Sequence, residues 1–279
     1  MNRDVNFAAS HLRLACIHGD VIQALFSLCD DRIEVEEKRG DGKTALHLAC
    51  EYGQVEIARM LLSRVREVNE TDDEGHTPLF LACRHGHFKV VQVLLTKYAD
   101  TEKGCCYGVA PIIAAITNKK VEVVRLLLDR VVDVNSTDGG GHTLLHHAIF
   151  AESIDLVRLF LDRGANVGAV DRSACGFTAL EAALMEGEPS FEIVQLLLDR
   201  GADANARSEI GGFSALHYAC TWGHYNVARL LLDRGADVEA IERNRNCTPL
   251  YIACNHERLE IVWLLVQRYP WLILNQLNR

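Results

Sequence analysis

The sequence predicts an all-α solenoid, a row of stacked helix-turn-helix units with projecting hairpin loops, on three observations. A short block recurs along the whole 279-residue chain, an Ala stands five residues past the start of every copy, and a Gly separates two helical runs in most copies. The block is clearest as Gly42-Lys43-Thr44-Ala45-Leu46-His47-Leu48-Ala49 and Gly75-His76-Thr77-Pro78-Leu79-Phe80-Leu81-Ala82. Its Thr-equivalent positions are Ser10, Thr44, Thr77, Ala110, Thr143, Thr178, Ser214 and Thr248, separated by 34, 33, 33, 33, 35, 36 and 34 residues. A fixed period in this range marks an array in which each unit covers the apolar face of the next. The units fall at 1–36, 41–70, 74–103, 107–136, 140–169, 175–206, 212–241 and 246–279 within one domain spanning 1–279, and the outer two serve as end caps.

Each position has a physical task. The Thr or Ser hydroxyl caps the free N–H groups of a first helix. Pro78, Pro111 and Pro249 follow it at the first helical position, where a missing N–H costs nothing. Ala15, Ala49, Ala82, Ala115, Ala148, Ala183, Ala219 and Ala253 are small enough to let neighbouring helices approach. Gly19, Gly53, Gly86, Gly187 and Gly223 end the first helix in the left-handed conformation. A second amphipathic helix follows, as in Val55-Glu56-Ile57-Ala58-Arg59-Met60-Leu61-Leu62. Gly164, Gly201 and Gly235 end it and lead into a hairpin-like connection.

Thr-Ala-Leu-His at 44 to 47, Ser-Ala-Leu-His at 214 to 217, Gly-His between helices and Gly-Ala-Asp-Ala-Asn at 201 to 205 resemble the ankyrin repeat over nearly the whole chain. The resemblance implies a stack of helix pairs with hairpins projecting from one side, a concave surface that binds proteins, and no enzymatic activity common to the family.

The totals agree with a non-catalytic interaction scaffold or adaptor that needs no cofactor. Apolar residues at 49% and charged residues at 24% suffice for a continuous core. The net charge of −9 argues against nucleic acid, whose binders cluster Lys and Arg. No apolar run approaches the ~18 residues that span a bilayer, and the first residues carry no signal-peptide core. The expectation is a cytoplasmic, monomeric protein, with the nucleus as a second compartment and a protein as partner. Ten Cys fit small buried residues in a reducing compartment.

Motifs that imitate chemistry find structural readings. Cys16, Cys50, Cys83, Cys220 and Cys254 each follow the packing Ala, so the His47/Cys50 and His217/Cys220 spacings are core packing and not zinc ligands. Cys105 and Cys106 lie in a hairpin region, where core packing outweighs a redox role. His85-Gly86-His87 and His146-His147 are likewise not read as metal sites. His47, His146 and His217 instead bridge helix start and hairpin. Gly139-Gly140-Gly141 lacks the Lys-Ser/Thr of a phosphate loop and reads as a hairpin tip. Arg64, Arg130, Arg163, Arg200 and Arg234 offset helix dipoles, and neighbouring acids cancel their charge.

In stacks that resemble ankyrin repeats, the hairpin tips and the residues before the inter-helix Gly face the concave side. Those positions hold Tyr52, His85, Phe150, Met185 and Trp222, with Phe177 and Phe213 just before the caps. Solvent-facing aromatics of this kind dominate interface energetics, so these seven residues are the expected partner-binding set, strongest across repeats five to seven. Asp72-Asp73-Glu74 forms an acidic tip that either steers a basic peptide or is merely solvated. Two other roles fit the same sequence. The chain is a regulatory or substrate-recognition part of a larger complex, such as a ubiquitin-ligase adaptor, or Asn69, Asn135 and Asn205 make it a substrate of an asparaginyl hydroxylase.

The pattern breaks most in repeat four. Ala110 replaces the capping Thr, a loss of ~0.5–2 kcal/mol, and Lys119 stands where Gly is usual. Val65, Tyr98 and Val131 replace the Gly that ends later second helices, so those helices are expected to end differently. Extra residues fall near Arg172-Ser173-Ala174, Glu186-Gly187-Glu188-Pro189 and Glu209-Ile210, and the apolar tail from Tyr269 to Leu274 is expected to cover the last helix pair. A weak central unit opens locally. Residues 104 to 139 are expected to exchange amide hydrogens faster than their neighbours, and equal protection along the array would refute this.

Overall fold

The computed structural model describes residues 2–38, 40–105, 108–130, 133–172, 176–185 and 189–272, with side chains from residue 8 onward. The chain forms two compact units, Met1–Asp133 and Val134–Arg279. The first holds four helix pairs: α1 (Asn2–His18) with α2 (Val21–Leu28), α3 (Ala45–Glu51) with α4 (Val55–Leu61), α5 (Pro78–His85) with α6 (Phe88–Leu95), and α7 (Pro111–Thr117) with α8 (Val121–Arg130). The second holds α9 (Leu144–Phe150) with α10 (Ile154–Asp162), α11 (Ala179–Ala182) with α12 (Phe191–Asp199), α13 (Ala215–Trp222) with α14 (Tyr225–Asp233), and α15 (Pro249–Asn255) with α16 (Leu259–Arg268). Within each unit, first helices pack on first helices and second helices on second helices, one repeat after another. Each unit is therefore a two-layer solenoid.

The core is a ladder of equivalent side chains. Leu46, Leu61, Leu79, Leu94 and Leu127 in the first unit and Leu145, Leu197, Leu216 and Leu231 in the second are at most 1% exposed. Each is worth about 1.5–3 kcal/mol relative to exposure. Ala49, Ala82, Ala115, Ala148, Ala219 and Ala253 have no exposed surface, so a larger side chain there would overpack the contact between helices. Ala183 departs from this, being half-buried at the C-cap of the four-residue α11. Cys16, Cys50, Cys83 and Cys220 are fully buried beside their Ala, and burial pushes the Cys16 thiol up to about 12. Cys254 is exposed, because among the described residues no later repeat covers α15. The sequence reading of five equivalent buried cysteines holds for four.

Helix starts follow the repeat. Thr44, Thr77, Thr143, Thr178 and Thr248 accept from the backbone N–H three residues on, and Pro78, Pro111 and Pro249 occupy the first turn. Ser10 corrects the pattern. It lies inside α1, since no hairpin or turn signal precedes it to stop the helix from starting at Asn2. Tyr98 corrects a second expectation by adopting the left-handed conformation itself, φ 58°, like the Gly of later repeats. Val65 keeps negative φ, and its N–H bonds back to the Leu61 carbonyl four residues earlier, as in an ordinary α-helical turn. Val131 lies outside the described residues, as do Cys106, Ser173, Ala174, Glu186, Gly187, Glu188, Ile273 and Leu274. Of the tail, Leu272 is buried while Trp271 stays half exposed against Tyr269.

The arginines at the ends of the second helices tie repeats together. Arg200 pairs with Asp162 at 2.9 Å, Arg234 with Asp199 at 2.6 Å, and Arg268 with Asp233. The cancelling acid thus comes from the preceding repeat and not from the adjacent residue. These pairs are about a third to a half exposed, so each contributes roughly 0–1 kcal/mol. In repeat four, Ala110 makes no side-chain cap and Lys119 sits at φ 55°. Replacing both, as Ala110→Thr with Lys119→Gly, is expected to raise stability by about 1–3 kcal/mol in denaturant unfolding. An unchanged midpoint would show that neither site is strained.

Candidate functional site

Hairpins precede the first helices and are closed by a carboxylate acceptor. Asp72 Oδ1 accepts from the His76 N–H at 2.7 Å, Asp138 Oδ1 from the His142 N–H at 2.8 Å, Asp171 Oδ1 from the Phe177 N–H at 3.1 Å, and Glu242 Oε1 from the Cys247 N–H at 3.1 Å. Successive tips join through backbone bonds, such as Arg172 N–H to Gly141 O and Arg243 N–H to Gly211 O. Gly139-Gly140-Gly141 is such a tip. Asp72, 6% exposed, is spent on closure, so only Asp73 and Glu74 of the acidic tip meet solvent.

The bridging histidines sit beneath the hairpins. The Thr44 N–H donates to His47 Nδ1 at 3.2 Å, while His47 Nε2 lies 3.1 Å from the Glu70 and His76 carbonyls. His146 spans Thr143 and the Phe177 carbonyl, and His217 spans Ser214 and the Cys247 carbonyl. This pattern requires the neutral Nε2–H tautomer. Burial lowers all three pKa values and keeps that form. His87 is also occupied, with Nε2 2.8 Å from the Glu51 carbonyl. It lies so close to Gly53 (φ 74°) that a Cβ there would fall 2.5 Å from its ring. Asn69, Asn135 and Asn205 accept through Oδ1 from the backbones of Asp100, Asn166 and Asp237 at 2.7–2.9 Å, which ties each turn to the next.

The residues that close the first helices reach solvent. In the first unit Tyr52 is 47% exposed and His85 is exposed beside a polar surface where Lys43 pairs with Glu51 at 2.9 Å. In the second unit Phe150 and Trp222 are 50% and 48% exposed, and Met185 is half-buried. Phe150 and Met185 line a cleft of about 290 Å³ with Ile149, Ala182 and Ile193. The two residues before the caps differ from them. Phe177 and Phe213 are half-buried and fold back on Tyr218 with ring centroids 6.2 and 5.6 Å away, and Phe213 also meets His217. Their rings support the hairpins while one edge remains open. A second cleft of about 310 Å³ joins Phe213 to Tyr251, a half-exposed ring absent from the sequence-derived set. Its signal was legible: Tyr251 holds the slot of the bridging His in the last repeat. Cys105 packs against Phe80, Leu81 and Ala114, a core contact.

One slot under this surface is unusual. Glu181 stands where His47, His146 and His217 stand in their repeats, is 1% exposed, and accepts from the Thr178 N–H at 2.9 Å. Burial, with Asp171 nearby, pushes its carboxyl up to about 7.

The fold and its exposed rim define a stacked-repeat protein built for contact with other proteins. The family model for ankyrin repeats (3 copies) matches residues 12–105, 99–171, 166–242 and 190–272. The chain belongs to the ankyrin-repeat family. Among solved structures it is similar to the ankyrin repeat domain of Bcl-3, a member of the IkappaB protein family. That similarity is 32% identity with a TM-score of 0.70, over 79% of this chain and 99% of that one. It is also similar to the human ASB11 ankyrin repeat domain, at 29% identity and a TM-score of 0.69, over 81% of this chain and 98% of that one. No curated protein matches the chain in sequence.

Glu181 supplies a pH test of this layer. Its folded pKa is raised, so its penalty is absent below the ordinary pKa of 4.5 and grows as pH rises to about 7. Glu181→Gln retains the acceptor for Thr178. It is expected to raise stability by on the order of 1–3 kcal/mol at pH 8 and to change little at pH 4.5. Thermal melts at the two pH values check this, and an equal effect at both would sink it.

Proposed function

We propose that the chain is a non-catalytic scaffold or adaptor that captures a protein partner on the side chains closing the first helices of its second unit. The observation that carries the reading is the exposure of Phe150 and Trp222 by about half. Both belong to repeats that another repeat follows, so a missing neighbour does not explain it. Large exposed aromatic surface is the compositional mark of interface centres. The clefts beside Phe150 and beside Phe213 offer sockets for apolar anchors of the partner, and Met185 and Phe177 widen the contact, while Tyr52 and His85 form a separate candidate contact on the first unit. The buried hydroxyls, imidazoles and carboxylates are engaged in capping and hairpin closure, which supports a binding rather than a catalytic role. The described cysteines are free, as suits a reducing, cytoplasmic compartment.

The test is affinity capture with quantitative mass spectrometry on wild type and the Phe150→Ala/Trp222→Ala double variant. Arg158→Ala/Arg229→Ala, on exposed second-helix positions, serves as control. The aromatic variant is expected to lose recovery of the main partner at least tenfold with its melting temperature nearly unchanged, while the control keeps both. Equal recovery, or an aromatic variant that melts early, overturns the reading.

A further inference from the structure

The hairpin tip before α9 gathers three side chains that the interaction surface does not require. Asp138 Oδ2 lies 3.3 Å from His142 Nδ1 and 2.9 Å from His147 Nε2, and the ligand atoms of the three residues fall within 4.8 Å of one another. Hairpin closure accounts for part of this. The first unit repeats the Asp-His pair, with Asp72 Oδ2 3.2 Å from His76 Nδ1, and its carboxylate closes the tip in the same way. Closure does not account for His147. The equivalent position holds Leu48, Leu81, Ala114, Ala182, Tyr218 and Ile252 in other repeats, so an imidazole stands at a largely apolar position beside an Asp-His pair.

We propose that Asp138, His142 and His147 bind a zinc ion. Tetrahedral zinc with bonds of 2.0–2.2 Å holds neighbouring ligand atoms about 3.3 Å apart, close to the two separations observed. The side chains are 18–29% exposed, which leaves the fourth position open to water. With Nδ1 of His142 on the metal, its Nε2–H faces Asp171 Oδ2 at 3.9 Å, a carboxylate only 1% exposed. An outer carboxylate of this kind fixes the ring and its tautomer. The adjacent His146 takes no part, being turned to the Phe177 carbonyl.

The experiment titrates zinc, and cobalt as a spectroscopic probe, into the full purified chain. Expected are one equivalent of zinc in the micromolar range and a cobalt visible band without the near-ultraviolet thiolate band that cysteine ligands would give. His147→Leu, which installs the residue found in two other repeats, is expected to weaken zinc at least 100-fold and to abolish the zinc-dependent rise in melting temperature. Asp171→Asn should weaken it about tenfold. If circular dichroism shows that His147→Leu does not fold, His147→Gln replaces it. Absence of binding, equal affinity in the His147 variant, or a thiolate band overturns the site. The outcome is independent of partner capture, which no metal is needed to test.

Discussion

A repeat of this chain is too short to bury its own apolar face, and the contact between successive repeats within each unit decides the rest of the structure. That contact has two grades. Deep between the helices it is steric, set by the unexposed Ala and the Leu ladder, and leaves no room for a larger side chain. At the hairpin edge it is polar and directional, because His47, His146 and His217 each join a helix start to a carbonyl of the next hairpin. The steric grade supplies the free energy. The polar grade sets the register, since a slipped repeat would strand a buried imidazole without its acceptor, at a cost of about 1–3 kcal/mol.

This division gives many reactive side chains a structural task. Thr hydroxyls, neutral imidazoles and tip carboxylates are used as acceptors and bridges, and burial holds the four buried thiols in the protonated form. The proposed partner contact uses other positions, the residues that close the first helices, where Tyr52, Phe150 and Trp222 keep about half of their surface exposed.

Legibility followed the same line. The fold was readable because the period, the caps and the Ala slot are one-dimensional records of the steric contact. The pre-Gly positions were readable for the same reason, and the structure leaves Tyr52, His85, Phe150 and Trp222 exposed. Local exceptions were not. Ser10 scans as a cap, but a cap needs a chain break before it, and none exists ahead of Ser10. Phe177 and Phe213 scan as exposed, yet both rings pack onto α13, where Tyr218 receives them, from its own repeat in the case of Phe213 and from the preceding repeat in the case of Phe177. The Asp138-His142-His147 cluster was invisible because sequence reading paired His147 with His146, whereas α9 turns those rings to different partners.

Exposure alone does not identify a binding surface in a stacked protein, and the last repeat shows why. Tyr251 is as exposed as Phe150 and Cys254 is exposed too, but both occupy positions that a following repeat covers elsewhere; Cys220, the counterpart of Cys254, is fully buried. Their exposure is a property of being last among the described pairs. Trp222 has repeats on both sides, with α11 and α15 packed against its helix, and still presents nearly half its surface. An aromatic ring that a complete stack leaves uncovered forgoes apolar burial that other rings of the chain obtain. That gain is left for a contact outside the repeats to make by covering the ring.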